Sequence, residues 1–496
     1  MTHGLHHVTA ITRDVQSNVD FWMGFLGLSL VKQTAGFEDA QQLHLFYGDA
    51  AGSPGSLVSF LVWQGGAPGR VGHGQVAEIA LEIPRGRIGD WLTRAMQHGL
   101  RIEGPSREFG APVLRLKDPD GIIVKLVGTD LPDTGWPAAP ARMHGVTIWS
   151  EDAPATAAFL GRFGFTPAAA EGSVQRLTAA AGIIDIRAAG GFVPGIPGTG
   201  TIDHVALRMP DAAALAPFAD EGTLHDRLYF TSLYLREPAG MLIELATDGP
   251  GMAVDEPANA LGRRLKVPPH FTDDIELRLR LPQFARPGEE RRPMRDLPFT
   301  HRLHTPEEPD GSVMLLLHGT GGNEADLMPL AHRIAPRATL LGVRGRSTGE
   351  GVTRFFRRLS MTEFDQDDIR AEAEAFAAFW DGAVAAYDLE PARITVLGYS
   401  NGANFAGAVM ALHPALMRRA ILMRPMLALK APAPADLAGV SVLTLQGARD
   451  PYGAHAPALN DWLAVSGAAL DARVIPAGHE LAAEDLAAAQ GWLAAQ

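Results

Sequence analysis

Ser400 stands in Gly398-Tyr399-Ser400-Asn401-Gly402, a G-x-S-x-G pattern placed where an apolar run (RITVL) meets a small-residue helical one (ANFAGAVMAL). Small residues on both flanks let a sharp strand-to-helix turn form and leave the hydroxyl exposed at the strand's end, within reach of a base. Among 54 glycines the pattern alone would say little. Two partners follow in the order such a site requires: Asp450 in QGARDP after the apolar VSVLTL, and His479 in PAGHE after ARVIP. His479 would take the Ser400 proton as general base, with Asp450 orienting and supporting it. His455 follows Asp450 too closely to be the better base. Upstream, VMLLLHG runs into a flexible loop, His318-Gly319-Thr320-Gly321-Gly322-Asn323, able to aim backbone N–H groups at a developing oxyanion. The Thr320 and Asn401 amides are the expected donors, and His318 is read as a structural residue that shapes the loop.

The N-terminal half offers a second set: His7, His204 and Glu244, each within an apolar run. Two imidazoles and one carboxylate on one face of a metal ion leave positions open for a substrate and dioxygen. The chain has no cysteine, so any metal must be held by His and carboxylates. None of the three lies within a helical turn of another, so their convergence depends on the fold. Comparison of similar runs favours them. Lys125 stands at Glu244's place and Glu78 roughly at that of His204, and a carboxylate buried by pattern in LIELA needs a partner that a metal would supply. His144, in HGVT, is a rival to His7 as first ligand.

To position these residues, 496 amino acids must form more than one core. Residues 1–247 repeat a strand, a helix and further strands, with openers HHVTAI at His6, VAEIALEI at Val76, MHGVTIW at Met143 and IDHVALRM at Ile202. DPDGIIVKLVG at Asp118 and EPAGMLIELAT at Glu237 each place a tight turn before an apolar strand, marking an internal duplication. SNVDFWMGFLG and ATAAFLGRFGF carry helical spacing. An α+β domain of about four βαβββ modules is predicted. Residues 248–296, rich in Pro and charge, read as a tail and linker. From 297 to 496, apolar strands alternate with Ala-rich helices, predicting an α/β domain with a doubly wound, mostly parallel sheet.

Asp plus Glu number 56 against 43 Lys plus Arg, and the net charge of −13 argues against a nucleic-acid partner. No basic start followed by an apolar run opens the chain, and no stretch approaches a membrane span, so a soluble, cytoplasmic protein is expected. Arg344, Arg346, Arg354, Arg357 and Arg358 crowd one loop; a solvated, salt-bridged face is favoured there over a site for an acidic substrate.

HHVTAITRD, the repeated strands, DRLYFTSLYLREPAGMLIELAT and LGRRLKVPPHF together resemble ring-cleaving dioxygenases of the vicinal oxygen chelate (glyoxalase/extradiol) superfamily, in particular the hydroquinone-cleaving branch. The resemblance spans about residues 3–285. It implies His7, His204 and Glu244 as ligands of Fe(II), with Mn(II) as the alternative, and His6, Thr9, Arg227 and Tyr234 as the substrate shell. One departure stands out: family members often carry a second His before the ligand, whereas Asp203 precedes His204 here. LHGTGGNEADLMPLA, LLGVRGR, RFFRRL, FDQDDI, GYSNGAN, RPM and DPY resemble carboxylesterase/phospholipase-like α/β-hydrolases, which need no cofactor. The expectation is a bifunctional enzyme that opens a small aromatic diol with O2 and hydrolyses a small ester or acyl compound, fusion raising the effective concentration of the intermediate. Two alternatives confine catalysis differently, making the N-terminal domain an aromatic-binding module or a glyoxalase-like isomerase. A homo-oligomer is left open.

Overall fold

The computed structural model describes residues 4–289 and 297–496. It divides into two compact units, Met1–Asp273 with Leu281–Arg291, and Asp274–Arg280 with Arg292–Gln496.

In the first unit, three crossover segments begin alike. An aspartate closes each opening strand and caps the helical turn after it: Asp14 accepts from the Ser17 amide, Asp152 from Ala155 and Asp211 from Ala214. The strands of the four modules then assemble into two sheets, one of nine strands and one of eight. The first and fourth modules share the larger sheet, where Gly4–Thr12 pairs antiparallel with Ile202–Met209. The second and third share the smaller one, where Gln75–Pro84 pairs antiparallel with Met143–Ser150. Gly4–Thr12 is buried along its whole length, as befits a strand covered on both faces. The duplicated turns form as hairpins, with Gly121 and Gly240 at φ of +99° and +92°, a region that favours glycine.

The segment expected as tail and linker takes part in both units. Leu265–Lys266 adds an edge strand beside Ser29–Ala35. Nearby, the buried Lys32 ammonium lies 2.6 Å from both Asp255 and Glu256. The helix Ile275–Arg280 belongs to the second unit, where Leu279 is buried against Met328 and Leu330. Residues 290–296, also expected as linker, lie outside the described residues.

The second unit is built on a seven-stranded sheet. Six strands, including Val313–Leu317, Ile394–Tyr399 and Arg419–Met423, run parallel. The edge strand His301–His304, absent from the sequence reading, joins antiparallel. Alternation explains the two-sided core: Leu315 and Leu317 face one cluster with Phe376, Phe379 and Phe405, while Met314 and Leu316 face another with Met328 and Trp492. No helix among the described residues is long and apolar enough to cross a membrane.

Candidate functional site

His7 lies on Gly4–Thr12, His204 on Ile202–Met209 and Glu244 on Leu242–Pro250, three adjacent strands of the nine-stranded sheet. Register aligns them: His7 and Glu244 both pair with Ala206, and Thr9 lies opposite His204. One donor atom from each of the three lies within 4.8 Å of the others, and all three residues are buried. Glu244 Oε2 is 3.1 Å from His7 Nε2 and 2.8 Å from His204 Nε2. Neither contact is aligned as a hydrogen bond, so His204 Nε2 and Glu244 Oε2 remain unsatisfied in the interior.

Proton bookkeeping accounts for the arrangement. A β-bulge at His6 buries two successive imidazoles side by side. Burial, with His7 second, pulls His6 down to about 3, so its ring is neutral. His6 Nε2–H donates to the Thr247 carbonyl at 3.1 Å, which leaves His6 Nδ1 to accept from His7 Nδ1 at 2.9 Å. With Nδ1 engaged by His6, His7 turns Nε2 toward Glu244. On the other side, His204 Nδ1 donates to Asp203 Oδ2 at 2.7 Å, again directing Nε2 inward. Burial lowers the pKa of His204, but Asp203 and Glu244 overcome it and raise the ring to about 9, so without a cation a proton would sit where a metal can. Burial likewise opposes the Glu244 carboxylate, yet His7 and His204 hold its pKa well below the usual range. Ser232 donates to its other oxygen. Two imidazole lone pairs and a carboxylate oxygen aimed at one point fit a divalent cation.

The implied substrate shell gathers on the same sheet in part. Tyr234 pairs with Glu244 and sets its ring 5.6 Å from that of His204, edge to face. Arg227 Nη2 reaches the Tyr234 hydroxyl at 3.5 Å while Nη1 binds Glu38 at 2.7 Å. Thr9 is hydrogen-bonded to Ser59 at 2.9 Å, and Ser59 to His44 Nε2 at 3.0 Å. His6 is turned to His7 and Thr247 instead of standing apart as a separate polar group.

His144 is in the other sheet, with Nδ1 3.0 Å from Glu82. Register makes it the counterpart of His6: Gly145, the next residue, pairs with Ala80 as His7 pairs with Ala206. Lys125 also pairs with Ala80, as Glu244 does with Ala206. A side chain at Gly145 would meet the Ile183 carbonyl oxygen, whose distance from an added Cβ is 2.5 Å.

In the second unit Ser400 sits between the strand Ile394–Tyr399 and the helix Asn401–Leu412 with φ +49° and ψ −111°, a strained backbone held by close packing. An added Cβ at Gly402 would lie 2.0 Å from the Leu317 carbonyl oxygen, so glycine is required there. His479 Nε2 is 3.0 Å from Ser400 Oγ, and its Nδ1 is 3.0 Å from Asp450 Oδ2. Asp450 Oδ1 accepts from the Tyr452 amide at 2.8 Å. Thr320 and Asn401 line the cleft beside Ser400, and Asn401 is the first residue of its helix, where an amide has no intrahelical acceptor. His318 is buried, with one ring nitrogen on the Gly319 carbonyl and the other accepting from the Gly345 amide.

Residues 4–126 match the Glyoxalase/Bleomycin resistance protein/Dioxygenase superfamily. MhqE of Bacillus subtilis, named as a candidate ring-cleaving dioxygenase, is 36% identical over 289 residues, 54% of this chain and 94% of its own. The same organism's MhqD, named as a candidate hydrolase, is 37% identical over 183 residues, 36% of this chain and 92% of its own. The chain belongs to the ring-cleaving dioxygenases, with a hydrolase fused behind. A chlorohydroquinone/hydroquinone 1,2-dioxygenase of Sphingobium indicum is 27% identical over 296 residues, 54% of this chain and 92% of its own.

Several residues of this dioxygenase–hydrolase fusion escaped the sequence reading. Asp203 was visible only as a departure from family pattern, yet it orients His204. His44 and Ser232 carry no motif. In the hydrolase, buried Arg424 pairs with Asp485 through two contacts of 2.8 Å and donates to the carbonyls of Gly478 and Glu480, gripping the loop of His479. The run RPM was the available signal, and within it Arg424 takes a positive φ of +55°.

Proposed function

We propose that the N-terminal unit opens the ring of a substituted hydroquinone or catechol with O2, and that the C-terminal unit hydrolyses an ester or acyl compound through Ser400. The carrying observation is the meeting of His7, His204 and Glu244 within 4.8 Å around inward-facing donors. Fe(II), or alternatively Mn(II), held by these three would bind the diol and O2 together and pass charge between them. The chain's own groups handle the rest. Asp203 and His6 fix the ligand tautomers. Arg227 and Tyr234 offer donors to a ring hydroxyl, and Phe46 and Phe230 pack near His7 as apolar walls.

At the second site His479 takes the Ser400 proton as Oγ adds to the acyl carbon, Asp450 holds the imidazole, and the Thr320 and Asn401 amides receive the oxyanion. The test is oxygen uptake with methylhydroquinone and with catechol by anaerobically purified, Fe(II)-loaded protein. Uptake lost in His7→Ala and kept in His144→Ala is expected. No uptake with any diol would leave the N-terminal unit as a binding module or an isomerase, which consumes no O2.

A further inference from the structure

Beside Ser400 lies a cleft of about 260 Å³. In a chain of net charge −13, three arginines and no carboxylate line it. The three are not equivalent. Arg424 is neutralised by Asp485. Arg358 pairs with Glu350, a partly exposed partner. Arg354 is 5% exposed and makes no ion pair among the described residues; it donates to the Thr320 hydroxyl at 2.6 Å and, through Nε, to the Phe356 carbonyl at 3.3 Å. Burial and then the nearby Arg358 work against its charge, and Glu350, which is paired to Arg358, offsets them only in part.

The neighbouring arginines sharpen the exception. Arg344 binds Glu324, Arg346 binds Glu372 and Arg357 binds Asp365, so the salt-bridged face holds for these three. A buried guanidinium with no carboxylate in contact is unfavourable unless an anion joins it, and Arg354 is held in place by a backbone bridge from Arg354 to Ser347. The cleft supplies the entry route for that anion, while Met361, Phe364 and Met426 offer apolar wall on the way to Ser400.

We infer that the hydrolase selects acyl groups bearing a second, free carboxylate, held by Arg354 with Arg358 while the acyl carbon sits at Ser400. The substrate class is the monoester, or other acyl derivative, of a short dicarboxylic acid. This rests on the serine-hydrolase reading above. Ser400 Oγ bonds to the acyl carbon as its proton passes to His479; the acyl–oxygen bond breaks and the alcohol leaves with that proton. Water, deprotonated by His479, then releases the dicarboxylate and restores Ser400. Oxygenative cleavage of a diol ring between carbons creates a carboxylate but no ester bond, so the fused unit would supply only the anionic group of such a substrate.

The experiment compares two 4-nitrophenyl esters of equal acyl length, the neutral butyrate and the anionic hemisuccinate, on the full chain and its Arg354→Gln, Arg354→Lys, Arg358→Gln and Ser400→Ala variants. The expected wild-type kcat/KM is at least roughly tenfold higher for the hemisuccinate, the scale of one charge-assisted contact. Arg354→Gln should erase that ratio, chiefly through the hemisuccinate KM; Arg354→Lys should keep part of it and Arg358→Gln should reduce it. A wild-type ratio near unity overturns the inference. So does an equal loss on both esters in Arg354→Gln and Arg358→Gln, which would reduce Arg354 to a support for Thr320. Activity on butyrate surviving in Ser400→Ala would instead sink the serine-hydrolase reading. Calorimetry with succinate against butyrate decides the anion question even without turnover: tighter succinate binding that Arg354→Gln removes supports it, and equal binding overturns it.

Discussion

Lys125 Nζ lies 2.9 Å from Glu78 Oε2, and register puts this pair where Glu244 and His204 stand in the other sheet. With Gly145 in His7's place, the duplicate has exchanged three converging donors for a closed ion pair. Lys125 is further satisfied by Glu108 at 2.9 Å and Thr147 at 3.1 Å. A cation is thus supplied by the chain in one sheet and called for from outside in the other.

Metal content should follow that difference. His7→Ala, His204→Ala and Glu244→Gln should each lose bound metal, measured by elemental analysis after anaerobic Fe(II) loading and desalting, whereas His144→Ala should retain it. Equal retention in His7→Ala and wild type would remove His7 from the site.

Asp203 orients the ring of His204, a proposed metal ligand, so Asp203→Ala should weaken metal affinity by roughly 10–100-fold without abolishing it. Competition with a chelator measures this. An unchanged affinity would make the 2.7 Å contact incidental.

Within the hydrolase, Asp450→Asn should cut kcat on a nitrophenyl ester by about 10⁴, because His479 would adopt the wrong tautomer. Gly402→Ala should damage the turn itself, given the Leu317 carbonyl 2.0 Å from its Cβ, and lower both activity and thermal midpoint. Ser400→Ala should end ester hydrolysis while oxygen uptake continues. If its complete product profile from a hydroquinone also stays unchanged, the two sites do not act in one sequence.

Asp118, in the first duplicated turn, is pushed up to about 7 by burial, against a usual 3.8. Its folded pKa is the higher one, so its contribution to stability is full below about pH 4 and is lost as pH rises through 7. Wild-type thermal midpoints should therefore fall across that window more than those of Asp118→Asn. Parallel curves would exclude Asp118 as the cause.

The local geometry was legible in the chain. G-x-S-x-G needs only the neighbouring strand and helix to become a nucleophile turn, and DPDG and EPAG need only their own backbone to make hairpins. The order Ser400, Asp450, His479 followed from strand succession in a parallel sheet. Crowding of five arginines was equally visible, but which one lacks a carboxylate was not, because each partner comes from a different part of the fold. The same holds for Asp203, whose value depends on the rotamer of the residue beside it. Above all, nothing along the chain says which module pairs with which. His7 and Glu244 are remote in sequence, and either histidine candidate had an acceptable local setting. Pairing of the first module with the fourth, through a register that carries a bulge at His6, is a long-range choice made by packing two sheets of similar pattern. Tertiary structure alone decided it, because strand register is set by contacts across the sheet and not by the residues of one strand.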